Sequence, residues 1–301
     1  MPSVNVRKPS ARPTRDPRAP ITRILAPIGL IAALALAYWI HDPTATSLDP
    51  RLAKAVPASI RADGVLTIGT DPTYEPSQFT DDDGNLAGID IDLSRAIARK
   101  LGLGLRWRQV TYDNLVPAVR AGGLQLAISA IPVTDHHTAQ VTMISYLTTG
   151  SQWLGRTTER GISPDNACGS AVAVVAATVH TDDLAARSAA CLAARRPAIT
   201  IHRYPTQQEA TTAVQTGATQ AMVTESHLSA YTARHSHGAL RRLGDTYDPV
   251  TFGIAVNSGQ RAFAETIAQA LRALIDDGTY ADILDHWAIP SAALKHPTIR
   301  P

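Results

Sequence analysis

Two cysteines are all that this chain of 301 residues contains, and that scarcity excludes several kinds of site. Cys168 and Cys191 are too far apart for a CxxC redox or zinc pair. Neither lies near the N-terminus, so a lipid-modified N-terminal cysteine is excluded. There is no P-loop, no GxSxG nucleophile elbow and no GxGxxG dinucleotide turn. Gly102-Leu-Gly104 follows a helical stretch and reads as a turn after a helix end, not as a phosphate loop. Charge of one sign is scarce once the first 41 residues are set aside. That segment carries six Lys/Arg (Arg7, Lys8, Arg12, Arg15, Arg18, Arg23) against Asp16. The whole chain is +2, so the remainder sums to −3 and offers no basic surface for nucleic acid. Long apolar runs occur once, at Ile24–Ile40.

What is present describes an exported α/β protein. A hydrophobic share of 45% with 18% charged residues suits a globular chain, and 301 residues allow two lobes. Residues 1–23 form a basic leader, rich in Pro and Arg, expected to be disordered and cytoplasmic. Ile24–Ile40, seventeen uncharged residues, reads as a transmembrane anchor or a signal segment. Tyr38 and Trp39 suit a membrane interface and favour the anchor; Ala33, Ala35 and Ala37 are the small residues a cleaved signal would show. The rest then lies outside the cell, tethered by the helix or secreted after cleavage. In that compartment an even cysteine count reads as a disulfide, Cys168–Cys191, worth about 3 kcal/mol in the chain-entropy model; two buried free thiols are the alternative.

Residues 41–61 read as a linker. Gly64–Gly69, Leu105–Val110 and Leu124–Ala130 read as strands, and Ile89–Leu103 and Asn114–Ala121 as helices, with Asp81–Gly88 a turn. The alternation resumes with strands Ala171–Ala176, Ala198–His202 and Gln220–Thr224 and helices Asp182–Ala194 and Gln207–Thr216. A last helix, Gly259–Asp277, stops at Gly278. Such alternation predicts a mainly parallel sheet, whose ligands bind beyond the carboxyl ends of the strands. The positions after Gly69, Ala130, Ala176 and Thr224 are therefore the ones to inspect.

Those positions carry a resemblance. Gly69-Thr-Asp-Pro-Thr-Tyr-Glu-Pro76 with Asp83–Leu93, Tyr112–Ala118, Leu126–Thr134, and Asp277-Gly-Thr-Tyr280 with Trp287 resemble the polar amino-acid-binding proteins of ABC importers, the family-3 solute-binding proteins. The likeness spans about residues 62–290. It implies the two-lobed periplasmic-binding-protein type II fold with a hinge of two crossover strands. Lobe 1 would be 62–151 and 245–290, lobe 2 158–240, and 291–301 a C-terminal tail. The ligand, an amino acid or related compound, would lie between the lobes. A permease and an ATPase would be the partners of a monomer without cofactor or metal.

Residue by residue, the resemblance makes Asp71 a carboxylate near the ligand's ammonium or side chain, and Tyr74 and Tyr112 the aromatic walls. Ser129, Ala130 and Thr134 belong to the loop after the third strand. Thr178 and His180 fall at a helix start where the family binds the ligand carboxylate. Two departures stand out. The family's carboxylate-clamping arginine is replaced by His137, which cannot form a planar two-point fork, and Pro132 removes a backbone donor. Glu225 stands where the family has an aspartate for the α-ammonium. Three readings follow: an amino acid held by a weakened clamp, an altered cationic ligand, or a sensing domain with a degenerate clamp. A cyclohexadienyl-dehydratase-like enzyme would need a cleft carboxyl of raised pKa, so binding without catalysis is expected. The adjacent His136 and His137 point apart on a helix and make no metal pair.

Overall fold

The structure is a computed structural model that describes residues 42–301. The leader and the apolar segment 24–40 lie outside the described residues. Among those described, no helix is long and apolar enough to cross a membrane.

The stretch read as a linker folds instead. Asp49 caps α1 (Pro50–Ala55), its carboxylate accepting from the N–H groups of Arg51 and Leu52, while Pro50 fixes the first-turn φ. α2 (Ala58–Asp63) ends on Gly64 at φ +64°. Leu52, Val56 and Ile60 are buried in the main core, so the linker reading is corrected: three apolar residues, on and between two short helices, close that core.

β1 (Val65–Thr70) follows, then a small antiparallel sheet of β2 (Thr73–Tyr74), β3 (Gln78–Thr80) and β4 (Leu86–Ala87). Gly88 is required where this sheet meets α3 (Ile89–Leu101), because a Cβ there would sit 2.4 Å from the Ser77 carbonyl oxygen. β5 (Gly104–Gln109), α4 (Tyr112–Arg120), β6 (Leu126–Ala127) and α5 (Asp135–Thr138) complete the first run. β7 (Thr142–Arg156) is a strand of 15 residues. Then come β8 (Ala171–Val175), α6 (Val179–Ala193), β9 (Thr200–Tyr204), α7 (Gln207–Thr216), β10 (Ala221–Glu225) and α8 (Ser226–His235). β11 (Leu240–Val256), of 17 residues, returns alongside β7.

Eight strands of the nine-stranded sheet run β5-β1-β6-β11-β7-β10-β8-β9, and the ninth, close to the C-terminus, pairs with β7 off this path. Pairing is parallel within β5-β1-β6 and within β10-β8-β9, but antiparallel wherever β7 or β11 takes part. The expectation of a mainly parallel sheet therefore holds within each half and fails between them, since two long strands, not helices, make the crossing. Their pairing slips register near Leu243, Tyr247 and Val250. Gly150 faces this irregularity, and a Cβ there would lie 2.5 Å from the Tyr247 carbonyl oxygen.

The helix expected over Gly259–Asp277 is α9 (Arg261–Asp276), and it is not the last. Gly278, read as a stop, sits at φ +88° and also starts α10 (Thr279–His286). The closing Tyr280 and Trp287 are structural: Tyr280 donates to the Tyr146 carbonyl at 2.8 Å, and Trp287 Nε1 to Asp92 at 2.9 Å. The segment 291–301 is no free tail either. β12 (Ile299–Arg300) pairs with β7, and the Ser145 N–H donates to the Thr298 carbonyl at 2.9 Å. Apolar clusters separate by half. One gathers Ile68, Leu93, Tyr146, Phe263 and Leu271; another, on the far half, gathers Trp153, Val174, Leu184 and Val223. The far half also holds the Cys168–Cys191 disulfide, with Cα atoms 5.6 Å apart.

Candidate functional site

Parallel pairing of β1 with β5 and β6 brings three strand ends to one edge. Asp71 leaves β1 there. Its N–H donates to Ser129 Oγ at 3.0 Å, its Oδ1 accepts from Thr73 Oγ1 at 2.9 Å, and its Oδ2 accepts from the Tyr112 N–H at 2.8 Å. Asp71 thus ties the β1 end to the start of α4 and to the loop after β6. Buried Ser129 also accepts from Gln78 Nε2 at 2.9 Å.

The next residue, Ala130, takes φ +48°, a costly backbone for an alanine. Asp90, buried in the first turn of α3, holds it there: its Oδ2 accepts the Ala130 N–H at 2.8 Å and its Oδ1 the Tyr146 hydroxyl at 2.7 Å. Burial pushes the Asp90 carboxyl up to about 7, with these two hydrogen bonds opposing.

Across the edge stands Glu225 at the end of β10. Thr224 Oγ1 donates to its Oε2 at 3.1 Å, and His180 Nε2 lies 3.5 Å from its Oε1. Burial alone would raise this carboxyl. The close approach of His180 and the charges of His180 and His227 outweigh it and bring Glu225 down to about 2. His227, fully buried on α8, bridges the halves: Nε2 to Ser77 Oγ at 3.2 Å, Nδ1 to Thr149 Oγ1 at 2.9 Å. Its ring stands edge-on to Tyr74 and Phe252, with centroids 5.8 and 5.6 Å away. Burial pulls His227 down to about 4, against the pull of Glu225.

These groups enclose a cavity of about 360 Å³ lined by Asp71, Thr73, Tyr74, Gln78, Tyr112, Ser129, Ala130, Pro132, Glu225 and Phe252. That size suits a small ligand. Six of the residues singled out from the sequence meet here: Asp71, Tyr74, Tyr112, Ser129, Ala130 and Glu225. The other four do not line the cavity. Thr134 caps α5, its hydroxyl accepting from the His137 N–H at 3.2 Å. His137 Nδ1 bonds the Pro132 carbonyl at 2.7 Å and lines a separate hollow with Asp113, His136 and Gln140. Its short ring stays with its own loop. Thr178 Oγ1 donates to the Val175 carbonyl at 2.8 Å, closing the turn before α6. His180 stands behind Glu225, with Nδ1 3.2 Å from Ser151 Oγ. Gln78 and His227 were not legible: each looks like an ordinary polar residue in sequence, and only folding buries it at the cleft.

A larger hollow of about 500 Å³ lies on the other side of Tyr74, crossed by the Tyr231 hydroxyl donating to Glu75 at 2.8 Å. It holds one carboxylate and mostly neutral side chains. The smaller cavity, at the strand ends and between two carboxylates, is the better ligand site. Among the described residues no group of three His, Cys, Asp or Glu side chains is placed to hold a metal ion.

The profile of the bacterial extracellular solute-binding proteins, family 3, matches residues 66–290. The arginine-binding protein ArgT of Corynebacterium glutamicum is 33% identical over 298 residues, covering 95% of this chain and 98% of that protein. The putative ABC transporter arginine-binding protein 2 of Escherichia coli is 22% identical, covering 76% and 93%. Among solved structures, an ancestral cationic amino acid solute-binding protein superposes with a TM-score of 0.65 at 25% identity, covering 76% of this chain and 98% of that one. A polar amino acid uptake protein of Streptococcus thermophilus, 18% identical, shares the fold with a TM-score of 0.68, covering 78% and 90%. With the mixed α/β architecture of a type II periplasmic binding protein and a profile match over most of its length, the chain belongs to family 3 of the bacterial extracellular solute-binding proteins.

Proposed function

We propose that this protein is the extracytoplasmic binding component of an ABC importer and captures a cationic amino acid between its two lobes, without changing it chemically. One observation carries the reading. The carboxylates of Asp71 and Glu225 line one small cavity, walled by Tyr74 and Tyr112, and no Lys or Arg lines it. A site with two anions and two aromatic faces favours a cation. The position of Glu225 well below the ordinary carboxylate range supports an ionised partner for an ammonium or guanidinium. The same property argues against a dehydratase-like proton donor, which needs a carboxyl that stays protonated near neutral pH.

The arginine-binding relative supports the same class of ligand. The ligand's own carboxylate would face the α6 start, where His180 stands and the helix dipole is positive. The register slips between β7 and β11 support a hinge, and closure there would bring Glu225 over a ligand held by the Asp71 side. A permease and an ATPase would take the ligand onward, with segment 24–40 as tether or cleaved signal.

Mass spectrometry of small molecules released from the purified protein tests this. Arginine, lysine or ornithine is the expected finding. A neutral or acidic ligand would overturn the reading, as would no ligand together with no thermal stabilisation by any amino acid.

A further inference from the structure

Ala130 stands in a bulge of the sheet. From Ala127 to Pro132 the chain takes five steps, while β11 opposite takes three, from Ala255 to Phe252. The two extra residues fall where Ser129 and Ala130 line the ligand cavity, and bulges of this kind re-aim groups beside binding sites. Beyond the bulge the chain rejoins β11, with the Gly253 N–H donating to the Ile131 carbonyl at 2.8 Å. Six non-glycine residues among those described have positive φ, and of these Ala130 is the one that lines the cavity. An alanine does not keep that backbone unaided. The hold comes from Asp90, 40 positions earlier, whose Oδ2 accepts the Ala130 N–H at 2.8 Å. Asp90 is 0% exposed, so it touches no ligand itself.

We propose that Asp90 is a positioning residue for ligand binding: it fixes the left-handed backbone of Ala130 and so keeps this wall of the cavity in its binding shape. This rests on the cationic-ligand reading of the cavity above and deepens it. The role asked of Asp90 is that of a hydrogen-bond acceptor, which an uncharged amide can also supply. A buried N–H without an acceptor is costly. Without Asp90 the Ala130 peptide turns toward another partner, and the wall has to be re-ordered each time a ligand binds. Ser129, the preceding residue, moves with it, and on its Oγ the Asp71 N–H and the Gln78 amide converge.

Tyr146→Phe first removes the other donor to the Asp90 carboxylate, leaving the Ala130 N–H as its remaining partner. In that background Asp90→Asn keeps an acceptor without charge, and Asp90→Leu roughly keeps the volume without an acceptor. Each full-length protein is titrated with L-arginine by calorimetry, with thermal unfolding as the control for folding. Tyr146→Phe alone lowers the unfolding midpoint and leaves arginine affinity within threefold of the wild type. Adding Asp90→Asn also leaves it within threefold. Adding Asp90→Leu weakens arginine about tenfold or more. Adding Ala130→Gly to that protein recovers most of the loss, since glycine takes a positive φ at little cost. A merely structural role would give the same loss with and without Ala130→Gly, and that outcome overturns the assignment. So does unchanged affinity in the Asp90→Leu protein. A tenfold loss with Asp90→Asn would trace the effect to charge and overturns it too; this arm carries the test alone if no Asp90→Leu protein folds. A wild type that binds no arginine overturns the cationic-ligand reading itself, and so separates the two failures.

Discussion

The β5-β1-β6 half gives the cavity Asp71, Tyr74, Gln78, Tyr112 and Ser129, whereas the β10-β8-β9 half gives it Glu225 alone. The first set is cross-tied before any ligand arrives: Asp71, Ser129, Gln78 and Tyr112 are linked by hydrogen bonds of 2.8 to 3.0 Å. Glu225 is braced from behind by Thr224 and His180. The difference points to a division of labour in which one half is a preorganised platform and the other a single charged latch. Preorganisation lowers the ordering cost of binding, and a lone opposing charge makes closure depend on what is bound. The halves differ in stabilisation too. The far half gathers smaller apolar clusters than the near one and carries the disulfide.

The comparison can be broken where it is sharpest. Glu225→Gln keeps the shape and removes the latch charge, so arginine affinity should fall about a hundredfold, about 2.7 kcal/mol, by calorimetry. A loss below threefold would remove the latch from the account. Replacing both Cys168 and Cys191 with serine opens a crosslink spanning 23 positions and should lower unfolding stability by about 2–3 kcal/mol in chemical denaturation. Arginine affinity in that variant should stay within threefold, since neither cysteine lines the cavity.

A smaller effect separates the halves by pH. His227 is held down to about 4 against an ordinary 6.5. The unfolded chain therefore takes up this proton first, and stability falls as pH drops from about 6.5 to 4. Glu225, at about 2 against 4.5, adds a loss from about 4.5 down to 2. Asp90 in the near half works the other way. Raised to about 7 from 3.8, it weakens the fold as pH rises through that range. His227→Gln should flatten the loss between pH 6.5 and 4; an unchanged pH profile of denaturation midpoints would exclude His227 as the source.

How much of this was readable beforehand also differs by region. Helix Gln207–Thr216 was legible to the residue because its signals are local: the Thr206–Glu209 capping box starts it and Gly217 at φ +85° ends it. Asp71, Tyr74 and Tyr112 were named from the family resemblance, and the fold brings them to one cavity although Tyr112 lies 41 positions from Asp71. β7 and β11 carry no strong period of their own, so the alternation of strands and helices did not show them; the family resemblance implied two crossover strands but not their antiparallel pairing. Gly278 misled because one glycine both ends α9 and starts α10. His137 was read as standing where the family has its clamping arginine, and it bonds the Pro132 carbonyl of its own loop. Gln78 and His227 depend on neighbours 51 and 150 positions away in the chain, which no local pattern encodes.

The central claim is that the cleft recognises positive charge. L-Arginine and L-citrulline have nearly the same shape, and citrulline lacks the charge. Calorimetric titration of the wild-type protein should show arginine binding at least a hundredfold more tightly; citrulline binding as tightly as arginine would contradict the account.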